Sequence, residues 1–96
     1  MDSIRGRAIS NVQIDNDRVL VTKWCFSAGA ETRWHHHRLD YIVVPGMDGR
    51  LLLETSSGND IIELEAGKAY SRLSGVEHNV VNINDFDFSF VEIELK

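Results

Sequence analysis

Apolar and polar residues alternate along most of the chain with a period of two, which is the period of a β-strand. Runs rich in β-branched and aromatic residues occur at 18–27, 40–44, 50–54, 60–65, 78–83 and 86–95. Turn-forming residues separate these runs, among them Gly29, Gly67 and Gly75. Short strands at such regular spacing predict an all-β sandwich or barrel.

Two turns are specific enough to predict which strands they connect. Asp48-Gly49 lies between the runs 40–44 and 50–54, which predicts a hairpin with a loop of about five residues. Ser57-Gly58-Asn59 predicts a second hairpin, between residues 51–55 and 60–64. The middle of the chain is therefore predicted to form a meander.

The last predicted strand changes the face on which its apolar residues lie. Phe86, Phe88 and Phe90 share one parity, whereas Val91, Ile93 and Leu95 share the other. Either a bulge near Phe90 corrects the phase, or the second half of the strand buries its opposite side. A second apolar face can belong to a subunit interface, as can an exchanged strand at 9–14, so we expect a homodimer.

Length and composition restrict the class of protein. A chain of 96 residues has room for one core, so we expect a single domain over 1–96. No run reaches the roughly 20 apolar residues that cross a bilayer, and no apolar segment follows the N-terminal charges. We therefore expect a cytoplasmic protein with no membrane partner. Cys25 is the only cysteine, which excludes an intrachain disulfide, and its apolar neighbours predict a buried thiol rather than a nucleophile.

The charge pattern bears on partners. Fifteen acidic residues against 10 basic ones give a net charge of −5, and the basic residues are scattered, so we expect no nucleic-acid partner. Acidic residues in the second half alternate with apolar ones, which predicts solvated strand faces. They are Glu63, Glu65, Asp85, Asp87, Glu92 and Glu94.

All four histidines fall in two places, His35-His36-His37 and His78. In a strand, His35 and His37 point the same way and His36 points to the other face. His78, on a second strand, completes a triangle of imidazoles that suits a divalent transition metal such as Fe, Mn, Ni, Zn, Cu or Co, with open positions for water or substrate. The alternative for each histidine is an ordinary surface or hydrogen-bonded residue.

These residues occur in two motifs, and through them the chain resembles the cupin family. The first motif, a glycine, five residues and His-x-His, is matched by Gly29 and His35 to His37. The second is matched from Gly67 through Gly75 and His78 to Asn82, with Leu73 replacing its proline. The strings 40–45, 75–82 and 92–95 are similar to small single-domain bacterial cupins, some of which carry a label linking them to β-alanine degradation.

The resemblance implies a small double-stranded β-helix, or jelly-roll, barrel with a metal held by His35, His37 and His78. The glutamate of the first motif is absent, because its position holds Tyr41 or, with the longer spacing, Ile42. Some cupin dioxygenases also lack it and keep three histidines. Glu31 reaches the site only if its loop folds inward.

Tyr41 is the candidate catalytic residue, donating its hydroxyl to a metal-bound water or substrate; its alternative is a barrel-wall aromatic. Arg33 and Arg72 are candidates to pair with a substrate carboxylate, or else surface residues. The expected function is a metal-dependent enzyme, an oxygenase or an isomerase or lyase, acting on a small organic acid. The alternative is a module that binds or senses a metal or small ligand without turnover.

Overall fold

The computed structural model describes residues 4–96, and its regular structure is β-strand. The strands are β1 (Ile9–Asp15), β2 (Val19–Phe26), β3 (His35–His36), β4 (Tyr41–Pro45), β5 (Gly49–Thr55), β6 (Gly58–Leu64), β7 (Tyr70–Arg72), β8 (Glu77–Asn82) and β9 (Phe88–Leu95). Each run with strand-forming composition is a strand, so that part of the prediction is confirmed. Residues 4–96 contain no helix long and apolar enough to cross a membrane.

The strands form two sheets that face each other. The order in the five-stranded sheet is β1-β2-β9-β4-β7, and in the four-stranded sheet it is β3-β8-β5-β6. Named strands pair antiparallel throughout residues 4–96. The chain passes repeatedly from one sheet to the other, which gives the jelly-roll arrangement of a double-stranded β-helix and confirms the predicted all-β fold class.

One of the two predicted hairpins is correct. β5 and β6 pair from Gly49 opposite Leu64 to Thr55 opposite Gly58. The predicted hairpin of β4 with β5 is wrong, because β4 pairs with β7 and β9 while β5 lies in the other sheet. The connection after Pro45 changes sheets: Gly46 donates its N–H to the Ser89 carbonyl, and a Cβ on Gly46 would lie 2.9 Å from Ser89 Oγ. The same Cβ would lie 3.1 Å from the Ser89 carbonyl oxygen, so a larger residue would push the two backbones apart.

The core lies between the sheets and is most densely aromatic near the start of β9. Phe26 and Phe88 are each 1% exposed, and the Phe26 and Phe90 rings lie 5.5 Å apart. Leu51 and Val80 contribute to the same cluster from the four-stranded sheet. Trp24 packs against the edge of this cluster, in the core position that its shared parity with Phe26 predicts.

Strand β9 keeps one register along its whole length. It pairs with β2 without interruption from Phe88 opposite Phe26 to Leu95 opposite Val19, so the bulge considered near Phe90 is wrong. Phe88, Phe90 and Glu92 therefore face the core, and Val91, Ile93 and Leu95 face outward. The outward residues continue an apolar row that runs across Ile14, Val21, Ile93 and Ile42 on four adjacent strands.

Cys25 lies on the outer face of β2 and is exposed, so the prediction of a buried thiol is wrong. Its neighbours Trp24 and Phe26 point inward, and strand alternation then turns the thiol outward beside Ile9 on β1. Apolar neighbours in the sequence do not bury a residue when they lie on the opposite face.

Candidate metal centre

Pairing of β3 with β8 brings the histidines of the two motifs together. His35 is directly opposite His78, and His36 is opposite Glu77. The backbone beyond β3 stays bonded to the turn before β8, since His37 donates its N–H to the Val76 carbonyl. Alternation then places His35, His37 and His78 on the inner face and leaves His36 exposed, as the spacing predicts.

The three inward imidazoles converge through the same ring atom. His35 Nε2 lies 3.0 Å from His37 Nε2, which in turn lies 3.2 Å from His78 Nε2. A metal ion bound at about 2.1 Å by each nitrogen requires nitrogen separations of about 3.0 Å at right angles and about 3.4 Å in a tetrahedron. The separations fit a single ion on a three-nitrogen face.

The electrostatic environment keeps two of these rings neutral. Burial, reinforced by the neighbouring imidazoles, lowers the pKa of His37 to about 4 and that of His78 to about 3. Their exposed fractions are 5% and 6%. Because metal ions bind the unprotonated imidazole, no proton has to leave either ring at neutral pH.

The orientation of His35 is fixed by the backbone that precedes it. Its Nδ1 donates to the Arg33 carbonyl over 2.8 Å, which leaves the Nε2 lone pair directed at the other histidines. Arg33 has a backbone φ of +75°, in the left-handed region that residues other than glycine rarely adopt. Thr32 Oγ1 lies 3.3 Å from the same Nδ1 and accepts the Val80 N–H. Sequence reasoning considered only the side chain of Arg33 and missed its carbonyl.

Tyr41 packs directly on the cluster from β4. Its ring stacks on that of His37 with centroids 4.0 Å apart, and the residue is 3% exposed. Burial, with smaller contributions from Tyr70 and Glu92, raises the pKa of Tyr41 well above its ordinary value. The phenol therefore keeps its proton at neutral pH and is not an anionic ligand.

Glu92 is a buried carboxylate beside the cluster that sequence reasoning placed on a solvated face, and that prediction is wrong. It is 7% exposed, and its Oε1 lies 3.8 Å from His37 Nδ1. Burial, and then the charge of Glu94, raises the pKa of Glu92 to about 7. The ligating atoms of His37, Glu92 and Glu94 all lie within 4.8 Å of one another. The sequence does contain a signal for the burial of Glu92, because Glu92 shares its parity on β9 with Phe88 and Phe90, which face the core.

Glu31 does not take the place of the missing motif glutamate. Its Oε1 accepts from Asn79 Nδ2 over 2.8 Å and from Arg5 Nη1 over 3.3 Å. Asn79 also donates to Glu54, which Arg5 contacts in turn. The carboxylate of Glu31 is thus bound in an ion-pair network on the far side of β8.

The comparisons with known proteins match the chain over almost its whole length, although no protein-family model matches it. Beta-alanine degradation protein BauB of Pseudomonas aeruginosa is 52% identical over 92 residues, which are 96% of this chain and 97% of that protein. A crystal structure of a cupin domain from Bordetella pertussis superposes with a TM-score of 0.97 at 54% identity, covering 99% of each chain.

More distant structures share the fold. A cupin superfamily protein from Desulfitobacterium hafniense has a TM-score of 0.72 at 15% identity, over 99% of this chain and 83% of that one. The predicted resemblance is confirmed by the near-complete match to the Bordetella domain. The chain belongs to the cupin family.

Proposed function

We propose that His35, His37 and His78 bind one divalent transition metal ion, and that the protein is a metal-dependent enzyme acting on a small organic acid. The convergence of three Nε2 atoms at separations of 3.0 and 3.2 Å is the observation that carries this proposal. Imidazole ligands accept Fe, Mn, Ni, Zn, Cu or Co, so the donor set does not select among them. When bound, such an ion supplies Lewis acidity and open positions for substrate or dioxygen.

The chain's own residues prepare this site. The Arg33 carbonyl holds the proton of His35 on Nδ1, so that Nε2 remains a lone-pair donor. Tyr41, stacked on His37, keeps its phenolic proton and is the proposed donor to a developing negative charge on the substrate. Glu92 places a carboxyl oxygen 3.8 Å from His37 Nδ1, and its ionised form offsets part of the ion's charge in place of the missing motif glutamate.

The substrate class is supported by the Pseudomonas relative. Its name places it in β-alanine degradation, and 52% identity over 96% of this chain supports extending that role here. We infer that the substrate is a small organic acid from this degradation. The reaction class, oxygenation or isomerisation and lyase chemistry, stays open on the same metal site.

Metal content and turnover test the two parts of this proposal. Untagged protein should carry about one metal ion per chain, and His37→Ala/His78→Ala should lose it, while His36→Ala should retain it because His36 points outward. Equal metal content in the wild-type protein and the double variant contradicts the metal site. Dioxygen consumption and product analysis with Fe(II) and a panel of small acids then test catalysis; ligand binding without turnover favours a sensory or binding module.

We also propose that the protein is a homodimer formed through the outer face of the five-stranded sheet. This face carries the apolar row of Ile14, Val21, Ile93 and Ile42, and every residue of β1 is exposed in a single chain. A second copy that packs on this face buries both features. Ile93→Glu should give a monomer by sedimentation, whereas Ile61→Glu, on the outer face of β6, should leave the dimer intact. A monomeric wild-type protein contradicts the proposal. The cytoplasmic location and the lack of a nucleic-acid partner stay predictions.

A further inference from the structure

A cleft of about 740 Å³ opens between the free edges of the two sheets, away from the histidines. One wall is β6, the edge strand of the four-stranded sheet, and the other is β7, the edge strand of the five-stranded sheet. Its size falls within the range of small-molecule sites. The apolar part of its lining comes from Ile62, Leu64, Tyr70 and Phe86.

Arg72 provides the charged end of this cleft. It lies opposite Tyr41 in the β4 and β7 pair, so its side chain leaves the strand on the inner face. Its Cζ stacks 4.7 Å from the centre of the Tyr70 ring, and Nη1 donates to the Ser71 carbonyl over 2.8 Å. Among residues 4–96, no carboxylate oxygen lies within 4.0 Å of this guanidinium. Tyr70 and Ser71 therefore hold Arg72 in place while its remaining N–H donors stay free.

The acidic residues of the cleft limit the charge of a ligand. Asp48 accepts the Ala66 N–H over 2.8 Å, and Glu65 lies 4.0 Å from Lys68, so both have partners. Glu63 adds a third carboxylate. Arg50, Lys68 and Arg72 balance these three carboxylates in the lining, so a ligand with a single negative charge pairs with Arg72, whereas the second charge of a dianion such as phosphate meets the neighbouring carboxylates.

We propose that this cleft binds a small organic carboxylate, with its acid group on Arg72 and its apolar part against Tyr70, Ile62 and Leu64. Tyr41 separates this site from the metal centre, since its ring stacks on His37 while its strand position faces Arg72. The site goes beyond the proposed metal chemistry and does not depend on it. Arg72, one of two arginines that the sequence made candidates for a carboxylate, is the one placed in a cleft.

Pentanoate and its uncharged isostere pentanamide test the proposal on protein stripped of metal by a chelator. In a two-dimensional amide NMR titration, pentanoate should shift the signals of Leu64, Tyr70 and Arg72, and pentanamide should bind about tenfold more weakly. Equal affinity for acid and amide, stronger binding of inorganic phosphate, shifts confined to other residues, or no binding at millimolar concentration would overturn the proposal. This comparison uses the wild-type chain, so it does not depend on how a variant folds.

Arg72→Gln should weaken pentanoate binding about tenfold, and Arg72→Lys should weaken it less, because lysine keeps the charge but loses the paired donors. Arg18→Gln removes the same charge from an exposed residue in the β1–β2 turn and should leave the affinity unchanged. Equal losses of pentanoate affinity in Arg18→Gln and Arg72→Gln would show that binding depends only on the net charge of the protein. That result would overturn the assignment of the ligand's acid group to Arg72. Because the protein is stripped of metal, failure of the metal enzyme proposal leaves this result interpretable.

Discussion

The two ends of the sandwich bury polar groups in different ways. At the phenylalanine end, which contains Phe26, Phe88, Phe90, Leu51 and Asn82, the polar member Asn82 is fully buried. Its Nδ2 donates to the carbonyls of Ser27 and Phe86, over 3.2 and 2.9 Å, and its Oδ1 accepts from Asn84. The chain itself therefore satisfies the polar group at this end.

At the histidine end, which contains His35, His37, His78, Tyr41 and Glu92, the imidazole nitrogens face one another. Within residues 4–96, His37 Nε2 lies within hydrogen-bond distance of Nε2 of His35 and of His78. His35 Nε2 is an acceptor because its proton lies on Nδ1, so hydrogen bonding among the rings requires a proton on Nε2 of another histidine, whereas a cation accepts all three lone pairs. The phenylalanine end therefore satisfies its polar group with the chain itself, whereas the histidine end, under the proposed function, gains stability from an ion.

The largest expected effect is loss of an aromatic ring from the phenylalanine end. Phe88→Ala should lower the free energy of unfolding by about 3–5 kcal/mol, because it leaves a cavity among Phe26, Phe90 and Leu51. Phe86→Ala should cost much less, since Phe86 is 44% exposed. Denaturant unfolding measures both. Similar losses from the two variants would contradict the assignment of the core.

Metal addition should act on the histidine end alone. At a free metal concentration about 100 times the Kd, the wild-type protein should gain about 2.7 kcal/mol of stability. His37→Ala/His78→Ala should gain nothing, because it lacks two of the three proposed ligands. Thermal unfolding with and without metal measures this, and an equal gain in the double variant would break the comparison.

Removing the polar group of the phenylalanine end should lower the free energy of unfolding equally with and without metal. Asn82→Ala should cost about 2 kcal/mol, because the Phe86 carbonyl and the Asn84 amide lose a buried partner. Asn11→Ala on the exposed β1 strand is the matched control and should cost little. If Asn82→Ala were neutral in urea unfolding, the two ends would not differ as described.

Acid should destabilise the metal-free protein through the histidine end. The pKa values of His37 and His78, about 4 and 3, lie below the value of about 6.5 in an unfolded chain, so the unfolded state binds more protons as the pH falls. The two histidines therefore contribute their full stability above about pH 6.5 and lose about 1 kcal/mol of it between pH 7 and pH 6. Glu92, whose pKa is raised to about 7, takes up a proton in the folded state over the same interval and offsets much of that loss. The stability of the wild-type protein relative to His37→Ala/His78→Ala should therefore fall as the pH is lowered, whereas its stability relative to His36→Ala should stay constant; a constant difference from the double variant contradicts the role of the two histidines.

The sequence was sufficient to predict the longer strands, the β5–β6 hairpin and the meeting of His35, His37 and His78, because these depend on local alternation and on spacing within two motifs. It did not predict β7, whose three residues are too few to show a period. It failed where the partner of a strand decides the outcome. The β4–β5 hairpin was wrong because Pro45 and Gly46 carry the chain across to the other sheet, which no local turn signal records. Long-range pairing is not encoded in the period of a single strand.

The predictions of burial for Glu92 and Cys25 were wrong for a related reason. Each was interpreted from its neighbours along the chain rather than from its parity, and the structure buries Glu92 and exposes Cys25. The bond from His35 Nδ1 to the Arg33 carbonyl was inaccessible to the sequence for a different reason, since it depends on a left-handed φ at a residue other than glycine.

Anomalous scattering at the metal absorption edges shows whether the three histidines bind one ion. The crystals are grown without chelator and with the metal that solution measurements identify. A single ion should appear about 2.0–2.2 Å from Nε2 of His35, His37 and His78. An ion bound elsewhere, or three histidines without an ion in crystals grown with that metal, would contradict the account.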